Sequence, residues 1–140
     1  MMGGVTVKTL DYFEECYCFP ALGKLTREHI FYQMGLYPIL FVCKDGNKNR
    51  YLCSCCRLGE EWIINQVSEN ALVAFIEDKI TIREVFEDCD GLRLMVKWDG
   101  ERFSCTHEIP DDMLPEKGAL LELKEEQTGE YRDILMRDIR

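Results

Sequence analysis

Between residues 38 and 88 the chain runs together two apolar strand-like segments, a third segment of alternating pattern and two helices with their own capping signals, with almost no loop between them. So dense a succession constrains the fold. Short connections make neighbouring strands pair antiparallel, and helices that follow without slack must bury their apolar stripes on that sheet. The first two segments, residues 39–43 and 50–56, flank Lys44-Asp-Gly-Asn-Lys-Asn49, where Asp45-Gly46 and two asparagines suit left-handed turn positions. Residues 39–56 therefore read as a hairpin with a longer loop. Residues 61–67 alternate, with Trp62 and Ile64 on one face and Ile63 and Val67 on the other, and are predicted to pair antiparallel with the preceding strand.

Ser68 is placed to cap a helix reaching Asp78, with Leu72, Phe75 and Ile76 at the spacing of a core stripe. Thr81-Ile-Arg-Glu84 is a capping box opening a second helix, whose Ile82, Val85 and Phe86 turn inward. Residues 92–109 read as a second hairpin turned by Asp99-Gly100, which sets Trp98 against Glu101, Val96 against Phe103, Leu94 against Cys105 and Leu92 against His107 on a core face. Lys97, Met95 and Arg93 then lie on a water face. Elsewhere the pattern predicts a strand over residues 5–13 and a short helix capped by Thr26, with Ile30, Phe31 and Met34 on one face and Gly35 at its end. It also predicts a return to the sheet over residues 119–123 and a final helix carrying Tyr131, Ile134, Leu135 and Met136. The fold class is α+β: one domain over residues 1–140 with residues 1–4 disordered, a mainly antiparallel sheet built from hairpins 39–56 and 92–109, and helices packed on one face.

Charge narrows the partners. The net charge of -9 is uneven: residues 1–59 hold 7 basic and 5 acidic groups, residues 60–140 hold 10 basic and 21 acidic. No run clusters Lys and Arg as a phosphate-tracking surface requires, so direct nucleic-acid binding is not expected. The longest apolar stretches, such as residues 39–43 and 119–121, fall far short of the roughly 20 residues of a membrane helix, and residues 1–4 do not open a signal peptide. The expectation is a cytoplasmic chain without membrane contact.

The eight cysteines are then expected as reduced thiols. Cys53, Cys55 and Cys56 are the metal-ligand candidates, although Cys16-Tyr-Cys18 and Cys53-Ser-Cys-Cys56 lack the paired knuckles of a zinc site. On a strand Cys53 and Cys55 stand about 7 Å apart, too far for sulfurs that sit about 2.3 Å from one ion. An even-length hairpin loop would turn Cys43 to the opposite face from both. Buried small hydrophobes are the better reading. Cys105 and His107 form the one close Cys/His pair, but positions i and i+2 of a strand exceed the roughly 2.6–3.2 Å of a thiol–imidazole hydrogen bond. His29, on the expected first helix, has only its neighbour Glu28, which projects elsewhere. Adjacent acids such as Glu14-Glu15, Asp111-Asp112 and Glu125-Glu126 diverge in regular structure and do not grip one site. A phosphate-binding glycine loop is missing from the sequence, and no cofactor is expected.

The motifs Tyr37-Pro-Ile-Leu-Phe-Val-Cys-Lys-Asp45, Arg50-Tyr51-Leu52, Trp62, Val67-Ser68, Ile80-Thr-Ile-Arg-Glu-Val-Phe86 and Ile109-Pro-Asp-Asp-Met-Leu-Pro-Glu-Lys-Gly118 resemble a family of small bacterial and phage-associated proteins defined only as a domain of unknown function. The resemblance covers residues 37–86 and 109–118. It implies the fold and no active site, and the chain departs from the pattern at Cys53-Ser-Cys-Cys56 and before Leu36. The leading functional expectation is a non-catalytic acidic interaction or accessory module, with Asp111, Asp112, Glu125 and Glu126 as partner-binding residues. Its partner would be a basic, nucleic-acid-handling protein of phage or mobile-element type, which the module would inhibit. The alternatives are a small enzyme whose site is assembled from distant residues and a thiol-based metal or redox site.

Overall fold

The computed structural model describes residues 16–19, 22–58, 60–87 and 92–139. Its strands are β1 (Cys16–Phe19), β2 (Gly23–Met34), β3 (Tyr37–Lys44), β4 (Arg50–Arg57), β5 (Glu61–Val67), β6 (Arg93–Trp98) and β7 (Phe103–Thr106). They form one antiparallel meander in the order β1-β2-β3-β4-β5-β6-β7. Helices α1 (Glu69–Ile76) and α2 (Ile82–Glu87) connect β5 to β6, and α3 (Glu125–Ile139) closes the described chain. The α+β class with helices on one face is what the sequence implies. The strand expected over residues 5–13 and the disorder expected at residues 1–4 lie outside the described residues.

A flat sheet of seven strands spaced by about 4.8 Å would hold its edges roughly 29 Å apart. Here the edges touch, because Phe19 of β1 meets Phe103 of β7 edge-on with ring centroids 5.2 Å apart. The sheet is therefore curled, and the irregular register along the twelve-residue β2 supplies bending of the kind that bulges introduce. Curling creates two cores. Inside the curl, Leu25, Phe41, Cys43, Tyr51, Cys53, Trp62, Ile64 and Val96 pack together. On the outer face, Phe31, Leu40, Val42, Leu52 and Ile63 meet Leu72, Phe75, Val85, Phe86, Tyr131 and Leu135 of the helices. Central strands are thus buried on both faces, which is why Leu40-Phe41-Val42-Cys43 and Trp62-Ile63-Ile64 are unbroken apolar runs.

Several sequence expectations are corrected by this two-sided burial. The helix expected from Thr26 to Met34 is instead β2. Ile30 packs toward the inner core and Phe31 toward the outer one, so adjacent apolar residues on opposite strand faces imitate a helical stripe. Gly35, at φ 59°, ends no helix but occupies the first loop position of the β2–β3 hairpin. Met95, expected on a water face, is buried. Residues 119–123 form no strand. Ala119 O accepts from Ile82 N at 2.8 Å, and Leu121 is buried in the outer core.

Local signals held where neighbouring backbone groups decide the outcome. Ser68 Oγ accepts from Ala71 N at 3.1 Å, although α1 stops at Ile76 rather than at Asp78. Thr81 N donates to Glu84 Oε1 at 2.9 Å and Glu84 N to Thr81 Oγ1 at 3.1 Å, a complete capping box. The β6–β7 turn is displaced by one residue: Asp99 N donates to Arg102 O at 3.2 Å, and Asp99 Oδ1 accepts from the amides of Glu101 and Arg102. Trp98 consequently faces Phe103 and Val96 faces Cys105. Asp99 satisfies the loop amides best from the position before the turn, with Gly100 at φ 104° as its first central residue. Partners move by two positions, so Val96, Trp98, Phe103 and Cys105 stay together on the core side expected for them.

Candidate functional site

The β3–β4 loop spans residues 45–49, an odd length, and sets Cys43 against Tyr51 and Phe41 against Cys53. Asp45 organises it, with Oδ1 accepting from Asn47 N and Asn49 N and Oδ2 from Tyr51 Oη at 3.1 Å. The left-handed position falls on Lys48, at φ 67°, not on Asp45-Gly46 or an asparagine. Odd length also places Cys43 on the same inner face as Cys53 and Cys55, correcting the expectation that it points away. Burial and the neighbouring Cys43 push the Cys53 thiol well above its ordinary value. Alternation along β4 leaves Cys56 packed against the outer core, its Sγ 3.5 Å from Met113 O. Burial and the charges of Cys55 and Glu61 push this thiol up to about 12. Cys53, Cys55 and Cys56 are therefore divided between two faces. Among the described residues no group of three or more His, Cys, Asp or Glu side chains is arranged to hold a metal ion.

Cys105 lines the inner core, whereas His107 is exposed beyond β7 and not on the core face expected for it. His29 is on β2. Its ring stacks parallel on Tyr131 of α3 at 4.7 Å and meets Phe31 edge-on at 4.9 Å.

The most elaborate polar assembly went unnoticed in the sequence. Arg50, 2% exposed at the start of β4, donates Nε and Nη2 to the two oxygens of Glu28 at 2.8 and 3.0 Å. Nη1 donates to Glu69 of α1 at 3.0 Å, and Nη2 also to Asp138 of α3 at 2.5 Å. Tyr131 Oη donates to Glu28 Oε1 at 2.5 Å, and Lys44 Nζ stands 3.5 Å from Glu28 Oε2. Burial pushes the Glu28 carboxyl up, but the hydrogen bonds of Arg50 and Tyr131 with the charges of Arg50 and Lys44 outweigh it and hold it below its ordinary value. One planar fork thus ties both flanking helices to the sheet. A second buried arginine, Arg83 of α2, donates to Pro115 O at 3.3 Å and pairs with Asp111. An arginine within or beside an apolar run is ordinary in a sequence. Only the fold, which lets Glu28 of β2 reach over β3 to it, reveals its role.

Arg83 fixes the start of a strap. From residue 108 to 126 the chain crosses the helix-bearing side as a 3-10 turn (Asp111–Met113), an irregular run and the opening of α3. Ile109, Met113, Leu114, Leu121 and Leu123 pack into the outer core. Glu108, Asp111, Asp112, Glu116, Glu122 and Glu126 are exposed. Of the expected partner-binding acids, Asp111 is engaged by Arg83, Asp112 and Glu126 are free to meet solvent, and Glu125 is placed only as the first residue of α3. Tyr32 Oη bonds Leu121 O, and Asp78 Oδ1 accepts from Glu122 N at 2.9 Å. A cleft of about 180 Å³ between α1 and α3 is flanked by Glu77, Asp78, Thr128 and Arg132, and Glu77 already pairs with Lys79 at 3.0 Å.

Among the described residues no helix is long and apolar enough to cross a membrane. Compared with known proteins, the chain matches no family model, no curated protein and no solved structure.

Proposed function

We propose that the chain is a non-catalytic, acidic protein-interaction module that offers the strap of residues 108–126 to a basic partner. The observation that carries this reading is segregation. Seven acidic and two basic residues occupy the strap, and its apolar residues are spent on the outer core while the described acids face solvent. A surface so charged raises the encounter rate with a basic protein and repels phosphate. A partner that itself handles nucleic acid would have the complementary field, and inhibition would follow if the strap occupied its phosphate-binding surface. That such a partner is of phage or mobile-element type rests on the resemblance over residues 37–86 and 109–118.

The test is affinity capture with the intact chain and with the charge-reversal variant Asp112→Lys/Glu116→Lys/Glu126→Lys, which spares the Asp111–Arg83 pair. The captured protein should be basic and should compete with DNA or RNA for the module. Its capture should weaken as salt rises from about 0.15 to 1 M, where the screening length falls from about 8 to 3 Å. Capture indifferent to both salt and charge reversal sinks the proposal.

A further inference from the structure

We propose that α3 is an acid-released latch, held against the sheet while His29 is neutral and loosened when its imidazole takes up a proton. The geometry that points to this is the cluster of three rings beneath the helix. His29 lies parallel to Tyr131 with ring centroids 4.7 Å apart, and Phe31 meets both rings edge-on, 4.9 Å from His29 and 6.2 Å from Tyr131. His29 Nε2 is buried and has no hydrogen-bond partner among the described residues. A proton there creates a donor and a positive charge where the described residues offer no acceptor, and moving Tyr131 away is the direct way to hydrate it.

The surrounding charges set the interval. Beside His29 on β2 is Glu28, engaged by Arg50, Lys44 and Tyr131, and from α3 comes Glu130. Asp138 of α3 and Glu69 of α1 bind the far side of Arg50. Burial pulls the His29 pKa below its ordinary value, and the charges of Glu28 and Glu130 only partly oppose this. Arg50 holds Asp138 below the usual carboxylate range, so the ion pairs persist well under neutrality. The side chains whose ordinary titration falls near pH 6.5 are the chain's two histidines, and His107 is exposed beyond β7. An event between about pH 6.5 and 5 that is centred on α3 therefore reports His29.

The sign follows from linkage. A base that is harder to protonate when docked leaves the docked state fully stable above about pH 6.5 and weakens it as pH falls toward the docked value. The opening equilibrium should grow by up to about tenfold per pH unit over that interval.

Amide hydrogen exchange measured from pH 7 to 5, with the intrinsic pH dependence divided out, tests this in the intact chain. Protection across α3 should fall by up to about tenfold per unit while β4 and β5 keep theirs and the fluorescence of Trp62 and Trp98, which pack inside the curl, stays constant. His29→Phe preserves an aromatic ring and should abolish the step. Glu130→Gln, which removes an exposed carboxylate that favours the proton in the docked state, should leave the onset in place and extend the fall in protection to lower pH. Flat protection in α3, loss shared equally with β4 and β5, or a step that neither variant alters would overturn the proposal.

Discussion

Replacing Arg50 with methionine removes the fork between Glu28, Glu69 and Asp138 while keeping an unbranched side chain of similar reach. Four charge-assisted hydrogen bonds disappear. At about 1.5–3 kcal/mol each, a naive total would exceed 6 kcal/mol. Burial shows why that overstates the loss. The Glu69 and Asp138 side chains are 35% and 44% exposed, so their share is that of screened surface pairs, about 0–1 kcal/mol each. Glu28, at 13%, is the group left buried without its bidentate partner. Breaking such a pair costs about 3–5 kcal/mol, and Lys44 and Tyr131, which still reach Glu28, keep the loss near the lower end. The expected loss is about 3 kcal/mol, or roughly 10 °C in Tm for a chain of this size. Urea unfolding followed by tryptophan fluorescence measures it, with an unchanged m value as the sign that only stability has moved. Adding Glu28→Gln removes the stranded charge, so the double variant should be more stable than the sum of the single losses predicts by at least about 1.5 kcal/mol. Additive losses, or an Arg50→Met loss below about 1 kcal/mol, would refute the reasoning. The acid limb gives a second check. Glu28 is held low when folded, so its contribution is complete above the unfolded carboxylate value and is lost as pH falls through the folded one. Without Arg50 the folded value rises, so that acid-driven loss must become smaller and end at higher pH.

Other expectations follow from the same contacts. Ser68→Ala removes the cap that receives Ala71 N and should cost about 1 kcal/mol in urea unfolding, with Ser68→Gly costing less. A small thiol reagent at neutral pH should leave Cys43, Cys53 and Cys56 unmodified in the folded chain, because the first two are fully buried and burial suppresses thiolate formation at Cys53 and Cys56. Mass spectrometry of the labelled peptides reads this directly, and all three should react once urea unfolds the chain.

Much of the fold was legible because it rests on local rules. The β3–β4 hairpin, the alternation of β5, the Ser68 cap and the Thr81–Glu84 box each depend on residues a few positions apart, and each appears as expected. Residues 26–34 were misread because a strand with a core on both sides carries neighbouring apolar residues, and Ile30-Phe31 with Met34 fits a helical stripe equally well. The β6–β7 register was off by two partners yet kept its faces, since alternation fixes sides while the Asp99 hydrogen bonds fix the turn. At the candidate site, the acidic content of residues 108–126 was visible. That Asp111 is paired with Arg83, and that Cys43 shares the inner face of Cys53 and Cys55, was not.

By itself the sequence determined an α+β chain of paired strands and capped helices with a strongly acidic second half, because periodicity, turn chemistry and charge act over short distances along the backbone. Only the tertiary structure decided that the sheet curls until Phe19 meets Phe103, that Arg50 gathers carboxylates from β2, α1 and α3, and that His29 stacks on Tyr131. Those contacts join residues as far apart as 88 and 103 positions, and no local pattern encodes which distant partner will satisfy a buried charge.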